Sequence, residues 1–415
     1  FFKNMPKEDI ITGLDIGSTT IRVAVAQVGT DGDVNVIGAS EHPSEGISKG
    51  VVTSIEDAVS SISGALEKAE RMTGIPIEHA LVSVSGAHVI SQDSHGVIAV
   101  AKADGEIKED DIERVIEAAQ TVATPPNHEI LHVIPRQFSV DGQVGIKDPL
   151  GMTGVKLEVD AQIILGQVSQ IKNLTKCIYR TGVDIDDLVL GVLAASESVL
   201  TKRQKELGVS LINLGGLTTS LMVFEEGYVI HTKILPIGAG HITNDIAIGL
   251  RTSVDVAEKV KTEYGTALPE EVPKKDDFDL ASIESNEDGI VSRKEVSEII
   301  EARLEEMFAM IKKDLKGIEK DGMLPAGIVL TGGGSRLAGI VELAKREFNL
   351  PASVGIPKDF TTAIEKVNDP VYAVAIGLCL WGANLSEKNH ATFGRFSSVG
   401  EVTGKMKGWF KSLMP

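Results

Sequence analysis

Two stretches of the sequence carry residues that could bind the phosphate groups of a ligand. They read ITGLDIGSTTIRVAVAQV (residues 11–28) and VSLINLGGLTTSLMVFEEG (residues 209–227). Each predicts a β-hairpin whose glycine-containing tip exposes backbone N–H groups and hydroxyls. Aligning Asp15 with Asn213 superimposes the glycines and threonines of the two tips. Two such hairpins facing across a cleft would hold a polyphosphate between their amide groups, although each taken alone is also an ordinary hairpin turn.

A third stretch, GIVLTGGGSRLAGIVELAKREF (residues 327–348), predicts a strand, a glycine triplet and a helix. The apolar run at 328–331 is typical of a buried strand. The glycines would let the backbone approach a flat ligand closely and would open a helix N-terminus towards an anion. The helix is predicted to follow the triplet, with inward positions at Leu337, Ile340, Val341 and Ala344. The chain has no G-x-x-x-x-G-K-[ST] motif, which excludes a P-loop NTPase.

Length and composition limit the classes of protein to which the chain can belong. Its 415 residues are too many for one compact core, so two to four domains or subdomains are expected. The longest apolar run is far shorter than the ~18–20 residues of a membrane-spanning helix. A net charge of −18 argues against nucleic acid as a partner. Cys177 and Cys379 lack metal or disulfide spacing, as expected in a reducing compartment.

The segment NHEILH (residues 127–132) contains H-E-x-x-H, a pattern that binds zinc when it lies on a helix. Prolines precede and follow it, and its alternating β-branched residues favour a strand. In a strand, His128 and His132 would lie ~13 Å apart, too far to share one ion. We therefore expect a strand and no zinc site.

The segment ESNEDGIVSRKE (residues 284–295) nearly fits an EF-hand calcium loop. However, Glu284 replaces the first aspartate, and the preceding residues lack a convincing entering helix. A β-turn before an amphipathic helix at about 293–315 is the preferred interpretation. The surrounding region 267–288 is polar and strongly charged, which is typical of a solvated loop.

The last residues, GKMKGWFKSLMP (404–415), combine large apolar side chains with lysines. At 100° per residue, the apolar side chains share one face of a helix and the lysines lie opposite it or on its flank. The polar segment 385–403 before it predicts a flexible linker. This layout is typical of an interfacial membrane anchor, with docking on the chain's own core or in a partner's groove as the alternatives. The predicted anchor residues are Lys405, Met406, Trp409, Phe410, Lys411, Leu413 and Met414.

The order hairpin, hairpin, strand–GGG–helix resembles the actin-like ATPase superfamily, and within it the chain is similar to the FtsA family of bacterial cell-division proteins. The most specific segment is LHVIPRQFSVDGQVGIKDPLGMTGVKLEVDAQII (131–164), which resembles the subdomain peculiar to that family. Segments 191–201, 255–268 and 369–382 also resemble it. The resemblance covers roughly residues 11–382 and the tail.

The resemblance implies an α/β, actin-like two-lobed ATPase fold with duplicated ribonuclease-H-like subdomains, an inserted FtsA-type subdomain, and nucleotide between the lobes. The implied regions are a first large lobe (10–81, 163–200 and 370–384), the inserted subdomain (82–162), a second large lobe (201–247 and 325–369), a subdomain that closes over the nucleotide and faces FtsZ (248–324), the linker (385–403) and the anchor helix (404–415).

The resemblance also implies which residues bind ATP and Mg²⁺. Asp15 would hold the metal through water. Glu258 and Lys261, one helical turn apart, match the pair that grips the ribose and base. The other implied binding residues are Gly17, Ser18 and Thr19 on one side of the phosphates, Asn213, Gly215, Gly216, Leu217 and Thr218 on the other, and Gly332, Gly333, Gly334 and Arg336 along the adenosine.

Three positions depart from the superfamily pattern. Asn213 stands where most members have an aspartate for the metal, and Leu217 puts a side chain where backbone usually approaches phosphate. Gly191 occupies the place of the glutamate or glutamine that orients the attacking water in hydrolysing members. No catalytic residue is identified, and we expect ATP to act mainly as a conformational ligand with at most slow hydrolysis.

The partners implied by the resemblance are FtsZ, further copies of the chain in a filament, an anionic membrane surface and other cell-division proteins, without nucleic acid. The implied location is the cytoplasmic face of the bacterial inner membrane at the division site, as a peripheral protein. Two alternatives within the superfamily are a nucleotide-dependent adaptor of pilus or microcompartment assembly and a sugar-kinase-type phosphotransferase. The tail argues against both alternatives, and the segment HVIPRQFSVDGQ (residues 132–143) argues against the adaptor.

Overall fold

The computed structural model describes residues 9–29, 31–100, 105–121, 124–285, 287 and 289–392. Its strands are β1 (Asp9–Ile16), β2 (Thr20–Val28), β3 (Val34–Pro43), β4 (Ile47–Ser48), β5 (Val51–Val52), β6 (His79–Val84), β7 (Val89–Ala99), β8 (His128–Val140), β9 (Gln143–Ile146), β10 (Lys156–Gln167), β11 (Asp184–Leu190), β12 (Val209–Leu214), β13 (Thr219–Glu225), β14 (Tyr228–Leu235), β15 (Asp277–Asp279), β16 (Ile290–Ser292), β17 (Ile328–Thr331), β18 (Ala352–Val354) and β19 (Thr361–Thr362).

The α-helices are α1 (Ile55–Thr73), α2 (Glu109–Gln120), α3 (Val168–Tyr179), α4 (Gly191–Val199), α5 (Lys202–Leu207), α6 (Ala239–Leu250), α7 (Val254–Glu263), α8 (Arg293–Gly317), α9 (Ile340–Phe348) and α10 (Ala373–Thr392). Within the described residues, none of these helices is both long and apolar enough to cross a membrane.

The first lobe is built on a six-stranded sheet with the order β11-β6-β1-β2-β3-β19. Strands β1, β2 and β3 form an antiparallel meander, and β6 and β11 add to it in parallel. Helix α10 returns from late in the chain to pack on β1 and against α4, burying Trp381 and Cys379. The first lobe therefore takes its core from both ends of the described chain.

The second lobe repeats this arrangement in a five-stranded sheet with the order β14-β13-β12-β17-β18. Its antiparallel meander β12–β14 is followed by the parallel strands β17 and β18. In the first lobe, the meander β1–β3 is followed in the same way by the parallel strands β6 and β11. The two predicted hairpins are confirmed as β1–β2 and β12–β13. They occupy equivalent central positions, which is the duplication that the sequence predicts.

An antiparallel sheet, β7-β10-β8-β9, is inserted between β6 and α3 and is covered by α2. It also touches the second lobe, at the edge strand β14. The Arg136 guanidinium donates to the Ile230 carbonyl at 2.7 Å, and the Ser91 hydroxyl donates to the Thr232 carbonyl at 3.0 Å. These side chains occupy backbone acceptors that a sheet edge would otherwise expose.

The start of the predicted flexible linker, residues 385–392, differs from the prediction. Helix α10 continues to Thr392, so residues 385–392, assigned to a flexible linker, are helical. They include the helix formers Glu387, Lys388 and Ala391 and have no glycine or proline before Gly394. The rest of the predicted linker and the anchor at 404–415 lie outside the described residues.

Candidate functional site

A cleft of about 880 Å³ lies between the two lobes. Its walls come from both hairpin tips, from α6 and α7, and from the loop after β17. The structure brings together every binding residue implied at the sequence level, which are Asp15, Gly17, Ser18, Thr19, Asn213, Gly215, Gly216, Leu217, Thr218, Glu258, Lys261, Gly332, Gly333, Gly334 and Arg336.

The two hairpin tips meet at the base of the cleft. A Cβ atom on Gly216 would lie only 2.3 Å from Thr19 Cγ2, so the second tip must have a glycine there for the first to approach. On the other side of the first tip, the Ser18 hydroxyl accepts a hydrogen bond from the Gly50 N–H at 2.9 Å. The first tip is therefore in contact with the second tip on one side and hydrogen-bonded within its own lobe on the other.

The second tip is also anchored to the start of α6. The Gly215 and Gly216 carbonyls accept from the Ala239 and Gly240 N–H groups at 2.9 and 2.7 Å. The Leu217 side chain lies beside this first helical turn, because its Cδ2 is 3.3 Å from where a Cβ on Gly240 would be. The second tip is therefore hydrogen-bonded directly to the first turn of α6.

The glycine triplet differs in part from the prediction. Gly332 has φ +81°, and a Cβ there would lie 2.2 Å from Asn213 Oδ1, so this position requires glycine. A short 3₁₀ turn, Gly333–Arg336, follows, and α9 begins only at Ile340, after Gly339 with φ +75°. The prediction of a helix containing Leu337 was wrong, because the left-handed Gly339 separates the triplet from α9.

Asp15 is a buried carboxylate at the end of β1. Its Oδ1 accepts a hydrogen bond from the Ser83 hydroxyl at 2.8 Å, and that hydroxyl accepts from the Ile16 N–H at 3.0 Å. Burial raises the pKa of Asp15, while the Ser83 hydrogen bond and the Arg22 charge act in the opposite direction. A hydrated Mg²⁺ would favour the ionised form, and a single carboxylate acting through water suits this ion.

Three side chains on α6 and α7 form a hydrogen-bonded cluster in the opposite wall. Lys261 Nζ donates to Glu258 Oε2 at 2.6 Å and to Thr243 Oγ1 at 2.9 Å, and Thr243 Oγ1 donates to Glu258 Oε2 at 2.5 Å. The Lys261 side chain is 10% exposed and that of Glu258 is 51% exposed. The lysine therefore fixes a carboxylate whose second oxygen can accept from ligand hydroxyls.

Some residues of the site were missed at the sequence level. Ser83 orients Asp15, Thr243 joins the Glu258–Lys261 pair, and Arg22 lines the cleft beside Asp15. Ser85 also lines it, and its Oγ lies 2.1 Å from where a Cβ on Gly191 would be. Of these residues, only Arg22 has a local sequence signal, because it closely follows the first tip in the sequence.

The two segments that resemble metal-binding motifs, 127–132 and 284–295, do not have the structures of those motifs. His128 and His132 lie on β8, as predicted, and His132 Nε2 accepts from the Leu190 N–H at 2.9 Å. Burial lowers the pKa of His132 to about 4, so its ring is neutral and can accept. The EF-hand-like segment is part of the β15–β16 hairpin before α8, although residues 286 and 288 are outside the described part. No group of three metal-binding side chains occurs among the described residues.

Comparisons with known proteins agree with this geometry. The model of the family "Cell division protein FtsA" matches residues 210–377, and that of the SHS2 domain inserted in the same family matches residues 86–165. Cell division protein FtsA of Pseudomonas aeruginosa is 39% identical over 373 residues, which cover 90% of this chain and 89% of that protein. The Escherichia coli K12 protein is 31% identical over 411 residues, 97% of this chain and 96% of that protein.

The chain belongs to the FtsA family. It is therefore a cell-division protein, and the match at 86–165 confirms the inserted subdomain.

Solved structures confirm the actin-like fold. The PilM–PilN type IV pilus biogenesis complex has a TM-score of 0.67 at 16% identity, covering 90% of this chain and 98% of that chain. MreB5 of Spiroplasma citri bound to ADP has a TM-score of 0.57 at 13% identity, covering 93% and 99%. At these identities the likeness concerns the fold alone.

Replacing Ser83 with alanine should raise the pKa of Asp15 further, because a hydrogen bond to its carboxylate is lost. If Asp15 holds Mg²⁺ through water, binding of Mg²⁺-ATP would need the ionised carboxylate and would weaken as pH falls through that pKa. The midpoint of this loss should therefore move to higher pH in Ser83→Ala, measured by calorimetry across the acidic range.

Ser40→Ala is the matched control. Its buried hydroxyl donates to the Ala65 carbonyl at 2.6 Å, away from the cleft, so its pH midpoint should equal that of the wild type. Equal midpoints for Ser83→Ala and Ser40→Ala would contradict this role of Ser83.

Proposed function

We propose that the cleft binds ATP with Mg²⁺ and that the nucleotide acts as a conformational ligand of an FtsA-type filament protein. The observation that carries this proposal is the direct meeting of the two tips, with Asp15 in one wall and the Glu258–Lys261 pair in the other. Backbone amides on two sides suit a polyphosphate. Two MreB5 structures of Spiroplasma citri with a similar fold are bound to ADP and to AMPPNP, which supports a nucleotide here.

Each group has a distinct proposed role. Asp15 holds Mg²⁺ through water, and the tip residues bind the phosphates from both lobes. Glu258 accepts from the ribose, held by Lys261, and the loop at 332–336 lies along the adenosine. We also propose that the chain divides into the lobes and subdomains given above, with the subdomain at 248–324 facing FtsZ.

Lys261→Gln should weaken ATP binding roughly tenfold or more, because Glu258 loses its charged hydrogen-bond donor. Calorimetric titration with ATP measures this. Lys259→Gln on the same helix is the matched control, since Lys259 is half exposed and is 3.6 Å from Glu284. ATP binding that is equal in both variants and the wild type would refute the proposed ribose site.

ATP hydrolysis should be slow because two side chains that faster-hydrolysing members of the superfamily use are replaced in this chain. Asn213 brings no negative charge to the metal, and Gly191 has no side chain to orient water. We expect steady-state phosphate release below about one per second, with Asp15→Asn as the blank for contaminating ATPases. A faster turnover that Asp15→Asn abolishes would contradict the role as a conformational ligand.

We further propose that the protein polymerises and tethers FtsZ filaments to the cytoplasmic membrane at the division site, where other divisome proteins also meet it. Family membership and the basic, apolar sequence at 404–415 support this. Four large apolar side chains contribute ~1.5–3 kcal/mol each when fully buried, but partial insertion and helix ordering reduce the net attachment of one molecule. A filament with many tails would gain avidity.

Vesicle flotation tests the tether. The full-length chain should float with anionic vesicles, more strongly with ATP, whereas a truncation before Gly404 should stay at the bottom of the gradient. Full-length protein with Trp409→Glu and Phe410→Glu keeps the tail length but removes apolar surface, so it should also fail to float. If all three proteins float equally, or if none of them floats, the tail docks on the chain's own core or in a partner's groove instead of on the membrane.

A further inference from the structure

The inserted subdomain joins the two lobes a second time, away from the hairpin tips. It branches from the first lobe between β6 and α3, and it contacts the second lobe along β14. Strand β14 pairs Leu235 with Thr219 at its tip end and Tyr228 with Glu225 at its far end. Residues 225–232 are not among those that line the cleft. The inserted subdomain therefore contacts the part of this hairpin that a ligand in the cleft would not touch.

Side chains form the hydrogen bonds that cross this contact. They run from Arg136 to the Ile230 carbonyl, from Ser91 to the Thr232 carbonyl, from the Thr232 hydroxyl to Gln162 Oε1 at 3.0 Å, and from Lys147 Nζ to the Glu226 carbonyl at 3.1 Å. Within the described ranges, no strand of the inserted sheet pairs with β14 through its backbone. The lobes can therefore part here by breaking single side-chain hydrogen bonds, without opening a β-ladder.

The contact is polar and loosely packed. Two crevices of about 540 and 480 Å³ flank Arg136. Among the described residues, three buried polar atoms of this region have no hydrogen-bond partner: Arg136 Nε, Tyr228 Oη and His231 Nε2. Buried polar atoms without partners are costly, and polar contacts between domains allow relative movement more readily than apolar cores do. This contact is therefore less stable than the cores of the two lobes.

The distance from the tips makes this contact sensitive to movements of the lobes. The strand from Ile230 to Leu235 is ~17 Å long. A rotation of the second lobe by roughly 10° about the contact between the tips would displace the Ile230 carbonyl by ~3 Å, which is about the length of a hydrogen bond. Even a small rotation would therefore break the bond from Arg136.

We propose that the inserted subdomain is a releasable strap between the lobes, fastened to β14 chiefly by Arg136. While fastened, the strap holds the lobes in the arrangement that assembles the walls of the cleft. Asp93 lies on β7 of the inserted subdomain itself, 2.8 Å from the Arg136 guanidinium. When the lobes move, the bond to β14 breaks and the arginine keeps this charged partner, which lowers the cost of release.

The link between the strap and the nucleotide rests on the proposed function of the cleft. If ATP binds to the arrangement that the strap holds, the strap and ATP each stabilise the other's contacts by the same factor. ATP in the cleft should then tighten a contact that it does not touch.

Hydrogen–deuterium exchange of the full-length protein without nucleotide tests the strap itself. Arg136→Met keeps the apolar stem of the side chain but removes its donors. Exchange at residues 226–232 should become roughly tenfold faster, because a charged hydrogen bond is lost. Exchange at the tips, residues 17–20 and 215–218, should also become faster, because the lobes are held less firmly. Ser91→Ala should produce the same pattern to a smaller extent.

Arg114→Met is the matched control. Arg114 bonds Asp111 and the Ala99 carbonyl within the inserted subdomain, so exchange at β14 and at the tips should equal that of the wild type. Calorimetric titration with Mg²⁺-ATP then measures the coupling. Arg136→Met should bind ATP roughly five- to tenfold more weakly, Arg114→Met should bind it as the wild type does, and ATP should slow exchange at 226–232 in the wild type.

Other outcomes overturn the proposal. Faster exchange confined to 226–232 in Arg136→Met, with wild-type ATP affinity, would show a local contact that does not hold the lobes. Equal exchange in Arg136→Met and Arg114→Met would also overturn it. If Arg136→Met does not fold, Ser91→Ala decides by the same two measurements. Wild-type protein that binds no ATP would remove the proposed function, and the strap would then stand or fall on whether the tips exchange faster in Arg136→Met without nucleotide.

Discussion

Gly216 has no side chain, and Thr19 of the opposite hairpin occupies the space where one would begin. Because each tip is the end of a central antiparallel pair in its own sheet, the two sheets approach each other directly at this contact. The second tip also accepts hydrogen bonds from the first residues of α6. A ligand that separates or tightens the tips would therefore move α6, and with it the cluster of Thr243, Glu258 and Lys261.

The charges of the cleft are distributed to suit a ligand that is anionic at one end and polar at the other. Asp15 and Arg22 lie opposite each other in the first lobe, where burial raises the pKa of Asp15. Glu258 and Lys261 neutralise each other in the second lobe and leave a carboxylate oxygen free for hydroxyls. A metal and phosphates would complete these charged groups. A ligand with both parts would contact both lobes.

The sequence predicted elements that depend on local pattern. Both hairpins, the strand at 328–331 and a helix close to Arg293–Gly317 follow from alternation, turn residues and helical periodicity. The helix predicted after the glycine triplet is present as α9, but it begins at Ile340 and does not contain Leu337. Its start was wrong because periodicity does not reveal the left-handed Gly339. Ser83 and Thr243 were missed because their roles come from contacts distant in sequence, such as the bond between Ser83 and Asp15, 68 residues apart. The binding residues came from the resemblance, which implied no role for Arg22.

We propose that one ligand bridges both tips. Hydrogen–deuterium exchange with mass spectrometry, with and without Mg²⁺-ATP, tests this directly at the level of peptides. We expect ATP to slow amide exchange together at residues 17–20, 215–218 and 332–336, because all three segments line the same cleft. Protection of only one of these segments, or of peptides elsewhere alone, would contradict it.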